Sequence, residues 1–371
     1  MRVTIVGGGI LGTAHAYEAV RRGHEVVHLE REPEARGATV RNFGLVWVSG
    51  RTEAELAATL RSRELWERIS TDVPGVGFRP AGSLTLLRSP AEIAVAEEAV
   101  SRSDAADRGF ALVDADEARR LNPALQGKYV AALHCSTDAA VESRVALPAI
   151  RRYLAAGGRY SFEPGTEARS IRGTTVHDDR GRLHEGDLVV VCAGAAHGGL
   201  VRELAGELPV RRVRLQMMQT APWDQRLTTA IADGDSLRYY PGFAGPALDE
   251  LQRTESQSEI ASDQHMQLLC VQRLGGGLTI GDTHEYTEPF PFDVGEDPYA
   301  YLVNLVEEFL GQPLPPVQRR WAGVYSQCVD PGELACRVNP GAGVWVVTGP
   351  GGRGMTLGPV LAEQTSDLIG L

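Results

Sequence analysis

The chain holds one lysine, Lys128, in 371 residues, so arginine carries nearly all of its positive charge. Its five cysteines, Cys135, Cys192, Cys270, Cys328 and Cys336, form no C-x-x-C pair and share no metal-like spacing with histidine. No metal centre is expected, and the thiols should be reduced and buried. No apolar run approaches the roughly 18 to 20 residues of a membrane span. Met1 leads directly into "RVTIVGG" without a charged n-region, which makes a cytoplasmic location the default expectation. A net charge of −11 argues against a general nucleic-acid binder. What remains is an ordinary soluble composition, 43% apolar and 23% charged, at a length that suggests two intertwined domains.

The pattern along the chain is strand, glycine turn, helix, strand at the start: "VTIVGGG", then Ile10, Ala14, Tyr17 and Ala19–Val20 at helical spacing up to Gly23, then "EVVHLE". Helical spacing recurs over 52–70, over 90–108, and before Gly157 and Gly158. "GSLTLLRS" and "DLVVVCAGAA" read as strands. The stretch 209–319, with "VRRVRLQMMQTA", "SLRYYPGF" and "MQLLCVQRLGGGLTIGD", reads as antiparallel β segments. "GVWVVTGPGGRGMTLGPVLAEQTSDLIGL" then returns to strand, glycine turn, helix.

Gly7, Gly9 and Gly12 form a G-x-G-x-x-G between a strand and a helix. Such glycines provide a tight turn, close backbone approach to a pyrophosphate and close packing of helix on strand, with the phosphates at the helix N-terminus. Glu30 closes the second strand, where a carboxylate accepts from ribose hydroxyls. This unit indicates dinucleotide binding without choosing between NAD and FAD. Three features favour FAD. The loop "REPEARGATVRNFG" offers arginine charge with Gly37, Thr39 and Asn42 for close approach and hydrogen bonding. "VVVCAGAA" closes a strand on small residues, and a second glycine turn stands near the C-terminus.

"GGGILG", Glu30, "GATVRNFG", "CAG" at 192–194, "RWAGVYS" at 320–326 and "TGPGGRGMTLGP" together resemble the D-amino-acid oxidase-like superfamily, in its glycine oxidase and sarcosine oxidase branch. The resemblance implies an α/β fold: a Rossmann-like FAD-binding domain on a mostly parallel sheet (1–75, 143–206 and 320–371). Inserted in it is an α+β substrate domain on a largely antiparallel sheet (76–142 and 207–319). It implies hydride transfer from the carbon beside an amine to the flavin, imine hydrolysis, and reoxidation by O2 or another acceptor. The cofactor-binding residues it implies are Gly7, Gly9, Ile10, Leu11, Gly12, Glu30, Arg31, Gly37, Thr39, Arg41, Asn42, Phe43, Ala168, Ala193, Gly194, Gly349, Gly352, Gly354, Met355 and Thr356. Two departures stand out. Tyr325 occupies the place where glycine oxidase-like relatives typically carry a carboxylate-clamping arginine, and Lys128 lies in the wrong segment to serve as an oxygen-activating lysine.

"GATVRNFG", "SLRYYPGF", "GDTHEY" and "GPGGRGMTL" also resemble a narrower branch associated with aminophosphonate breakdown, which implies 2-aminoethylphosphonate or its N-methyl form as substrate. A small anionic amine of that kind needs arginine and hydroxyl donors. Arg214, Arg238, Tyr240, His284 and Tyr325 are the candidate substrate-binding residues, with His284 and Arg353 as candidate catalytic groups. Either face of the strand bearing Arg212 and Arg214 could meet the cofactor, the other carrying Leu215 and Met217. Exposed arginines on a sheet and packed aromatics at a turn are the structural alternatives.

Overall fold

The computed structural model describes Met1–Leu371, built around two large sheets. In the six-stranded sheet, Tyr160–Pro164, Glu25–Glu30, Arg2–Val6, Leu188–Val191 and Val344–Thr348 lie side by side and parallel, and Cys336–Gly341 closes one edge antiparallel. These strands are nearly continuous apolar runs because both faces are covered. Val3, Ile5, Val190 and Val347 pack against helices Ile10–Arg21, Glu53–Asp72, Ser143–Ala156 and Gly354–Ile369. Leu29, Val189, Val191 and Val346 face the small sheet at 168–185 and Val201 of the helix Leu200–Ala205. The two ends of the chain therefore meet on one sheet, with only Leu188–Val191 between their strands.

The eight-stranded sheet runs Val317–Cys328, Val210–Pro222, Gly277–Gly281, Leu269–Gln272, Ala230–Ala232, Ser83–Leu87, Ala131–Cys135, Phe110–Asp114, antiparallel except between Ala230–Ala232 and Ser83–Leu87. One face carries Leu215, Met217, Leu269 and Tyr325; the other packs Met218, Leu278 and Ile280 on Tyr299, Leu302 and Phe309 of the helix Asp297–Leu310.

Three expectations need correction. "SLRYYPGF" is not β: the Asp233 carboxylate accepts from Ser236 N–H at 3.2 Å and starts a helix over Gly234–Tyr239, followed by a 3-10 turn at Pro241–Phe243. The middle stretch also contains helices Pro246–Thr254, Glu259–Asp263 and Asp297–Leu310, and 90–108 is two helices interrupted after Ser101. Position 320 lies within the strand Val317–Cys328, which pairs with Val210–Pro222 in the larger sheet. No helix is long and apolar enough to cross a membrane.

Candidate active site

A cavity of about 1700 Å³ runs from the carboxyl ends of the parallel strands to the inner face of the eight-stranded sheet. That is the crevice where open α/β sheets bind ligands. Its first wall is made by backbone. Gly7 takes φ +108°, and a Cβ there would lie 2.2 Å from the Cys192 carbonyl oxygen. A Cβ on Gly12 would lie 1.9 Å from the Gly7 carbonyl oxygen. Gly7 thus needs glycine to pass the end of the neighbouring strand Leu188–Val191, and Gly12 to bring helix Ile10–Arg21 onto its own strand. Gly9, by contrast, faces the cavity with room for a Cβ in ordinary contact with Thr39 Oγ1 at 3.4 Å, and Gly37 and Gly194 present open surface to it. The Glu30 carboxylate accepts from the N–H groups of Gly8 and Glu32, and Thr39 Oγ1 accepts from Ile10 N–H at 3.0 Å.

The second glycine turn is fixed from outside. Thr356 Oγ1 accepts from Trp47 N–H at 3.0 Å, and Trp66 Nε1 donates to the Met355 carbonyl at 2.8 Å. A Cβ on Gly358 would come within 2.9 Å of Ile10 Cγ1, so the last helix packs directly on the first. The segment after Thr39 lies on the larger sheet: Arg41 Nη1 donates to Ala322 O at 2.8 Å and Trp321 Nε1 to Arg41 O at 3.3 Å.

The other wall is aromatic. Tyr239 stacks on His284 at 4.3 Å between centroids and meets Tyr240 edge-on at 5.1 Å. Trp47 lies 6.0 Å from Tyr240, and Tyr286 and Tyr325 complete the lining. Burial raises the phenols of Tyr239, Tyr240, Tyr286 and Tyr325 above the ordinary tyrosine value, so all four are O–H donors at neutral pH. Arg51 lies over the Tyr240 ring at 5.6 Å. Its Nε donates to Trp47 O at 3.0 Å, whereas its two terminal nitrogens make no hydrogen bond within the protein. Burial is also the main influence on its guanidinium, which is lowered from the usual arginine range.

A family model for DAO, the FAD dependent oxidoreductases, matches residues 2–368. The chain belongs to this family. It is therefore an enzyme whose cofactor is FAD, a group that supplies hydride acceptance when bound. The residues present fit such a cofactor: a long crevice, open glycine surfaces at a helix N-terminus and a carboxylate on the second strand. The chain is 23% identical over its whole length to a D-amino acid dehydrogenase of Cereibacter sphaeroides, covering 92% of that protein. It is 25% identical, over 67% of its length, to the mitochondrial pyruvate dehydrogenase phosphatase regulatory subunit of Mus musculus, of which it spans only 29%. Its fold matches that of a glycine oxidase from Bacillus cereus with a TM-score of 0.78 at 18% identity, over 100% of this chain and 94% of that one.

Of the expected cofactor residues, all but Gly12 and Gly349 line the cavity. Gly12 serves the helix-on-strand contact, and Gly349, at φ +80°, lies behind the surface, its carbonyl accepting from Cys328 N–H at 3.0 Å. Tyr240, His284 and Tyr325 share the inner wall.

Arg214 and Arg238 do not. Leu215 and Met217 occupy the cavity face of their strand, and Arg214 points to the other side, where its guanidinium pairs with Glu285 at 2.6 Å and donates to Asp293 O. Arg238 turns into its own helix, 3.3 Å from Asp235, and donates to Glu255 O at 2.8 Å. Arg353 does line the cavity, yet its nitrogens are taken by Glu55, Pro350 O and Glu333 O, so it braces the second glycine turn. His284 Nδ1–H donates to His265 O at 3.0 Å, and burial lowers its pKa to about 4. A neutral ring with that affinity is a poor base at pH 7. Arg51 was missed, because a lone arginine before a helix has no sequence signature; only the packing of Trp47 and Tyr240 reveals it.

Proposed function

We propose that this enzyme oxidises the C–N bond of a small amine that carries an anionic group, with 2-aminoethylphosphonate or its N-methyl derivative preferred. The observation that carries the reading is Arg51: a buried guanidinium in the cavity wall with two terminal nitrogens free of protein partners. Around the same space stand the hydroxyls of Tyr239, Tyr240, Tyr286 and Tyr325, suited to the several acceptor oxygens of a phosphonate. Arg51 holds the anionic end in place of the arginine absent at Tyr325. The aromatic rings present their faces to the cationic end, the usual way proteins hold ammonium groups. The walls exclude water from the carbon that loses hydride.

Gly7 to Leu11, Glu30, Thr39 to Phe43 and Gly352 to Thr356 would hold FAD, with the N-terminus of helix Gly354–Ile369 offering positive potential to negative charge on the reduced ring system. A second reading, oxidation of glycine, sarcosine or another α-amino acid, is favoured by the similarity to the D-amino acid dehydrogenase. Anaerobic mixing with glycine, sarcosine, 2-aminoethylphosphonate and its N-methyl form separates the two. Bleaching of flavin absorbance by the phosphonates at lower concentration than by the amino acids is expected. The reverse order rejects the phosphonate preference.

A further inference from the structure

Asp282, the aspartate of "GDTHEY", is a carboxylic acid on the inner wall to which the proposed reaction has given no role. It is 4% exposed. Its backbone pairs with that of Gln267 in both directions, at 3.1 and 3.4 Å, which sets the two side chains against each other. Asp282 Oδ1 and Gln267 Oε1 are both buried without a hydrogen-bond partner. Gln267 Nε2 donates one of its two hydrogens to Tyr240 Oη, at 3.0 Å. A carboxyl oxygen buried without a donor is costly, and taking up a proton relieves that cost.

The groups around Asp282 are tyrosines from three directions: Tyr239 and Tyr240 at the end of helix Gly234–Tyr239, Tyr286 along its own segment and Tyr325 from strand Val317–Cys328. His284 also stands close, with Nε2 3.7 Å from Oδ2. No arginine forms an ion pair with it. We propose that Asp282 takes the proton from the substrate's ammonium group, so that a neutral amine stands beside the hydride acceptor. This assignment rests on the amine-oxidation reading above.

The step balances simply. The N–H bond of R–NH3⁺ breaks, its electron pair stays on nitrogen, and the proton forms an O–H bond on Asp282. The carbon-bound hydride leaves afterwards, in the oxidation the cofactor supplies. Burial, the largest influence, pushes the Asp282 carboxyl up to about 8, against about 4 for His284, so Asp282 is the stronger proton acceptor of the two. Because the carboxylate form is the acceptor, reduction should quicken as pH rises through that value.

The test compares anaerobic flavin reduction across pH in wild type, Asp282→Asn and His284→Asn, each first shown to hold dithionite-reducible flavin. In Asp282→Asn the rate constant at neutral pH is expected to fall about 100-fold or more, and the rise with pH to vanish. His284→Asn should keep the rise. Infrared difference spectra should show a protonated-carboxyl C=O band, present in wild type at neutral pH, lost on alkalinisation and missing from Asp282→Asn. Should Asp282→Asn hold no flavin, Asp282→Glu decides: a displaced pH profile supports the role, and an unmoved one overturns it. An unaltered profile in Asp282→Asn, or loss of the rise in His284→Asn, overturns the assignment while amine oxidation stands. If no amine reduces wild-type flavin, the functional reading fails and takes the assignment with it.

Discussion

The two walls of the cavity are built by opposite means. The wall at the ends of the parallel strands is mostly backbone and glycine, and its tightest positions, Gly7 and Gly12, belong to one strand-turn-helix unit. The wall on the eight-stranded sheet is side chains brought together from positions 47, 51, 239, 240, 282, 284 and 325. At Gly7 and Gly12 the first wall admits no added atom; the second is defined by which polar groups are left without partners. Substitutions should therefore destroy cofactor retention on one side and alter substrate handling on the other.

The largest effect is expected for Gly7→Ala. A methyl 2.2 Å from the Cys192 carbonyl, on a residue at φ +108°, forces the ends of the two neighbouring strands apart at a cost of more than about 3 kcal/mol. Purified protein should carry little flavin and melt well below wild type, and a yellow, normally stable Gly7→Ala protein would break the distinction between the walls. Arg51→Met comes next. Loss of a buried charged hydrogen bond of about 2 to 3 kcal/mol should raise KM for an anionic amine roughly 30-fold to 150-fold while flavin content stays normal. Steady-state kinetics beside the 450-nm-type flavin absorbance of dithionite titration would expose a loss of cofactor instead.

Arg353→Gln should sit between the walls. It leaves Glu55 buried with one partner fewer. Burial raises the Glu55 carboxyl, but Arg51, the Thr52 N–H and Arg353 outweigh it and hold the group below its ordinary value. Folding stability from this carboxylate is present above its unfolded pKa and is lost as pH falls through its folded one. The wild-type advantage in Tm over Arg353→Gln should accordingly shrink in acid, as thermal melts across pH would show. Arg238→Ala, with its partners Asp235 and Glu255 away from the cavity, should leave KM within about twofold, and a large rise in KM would return Arg238 to the site.

This contrast also explains what could be read in advance. Gly7, Gly9, Gly12 and Glu30 announce themselves because a pyrophosphate turn needs those residues at that spacing within one βαβ unit. The C-terminal glycine turn is legible for the same reason, though the bracing by Arg353 is not. The inner wall depends on strand register and on one helix start. Alternation along 210–222 leaves open which face meets the cavity, and the pairing of Arg214 with Glu285 settles it only in three dimensions. "SLRYYPGF" has β-like composition, yet the Asp233 cap turns it into a helix and swings Arg238 away while Tyr239 and Tyr240 enter the wall. Arg51 and Asp282 carry no local pattern; what marks them is the hydrogen bonds they do not make.

The most direct measurement is the anaerobic absorbance spectrum of the purified wild-type enzyme after addition of small anionic amines. Bleaching of an FAD spectrum by at least one of them, reversed when an electron acceptor is admitted, is the predicted result. A flavin that dithionite reduces but no amine bleaches would contradict oxidation of a C–N bond in this cavity.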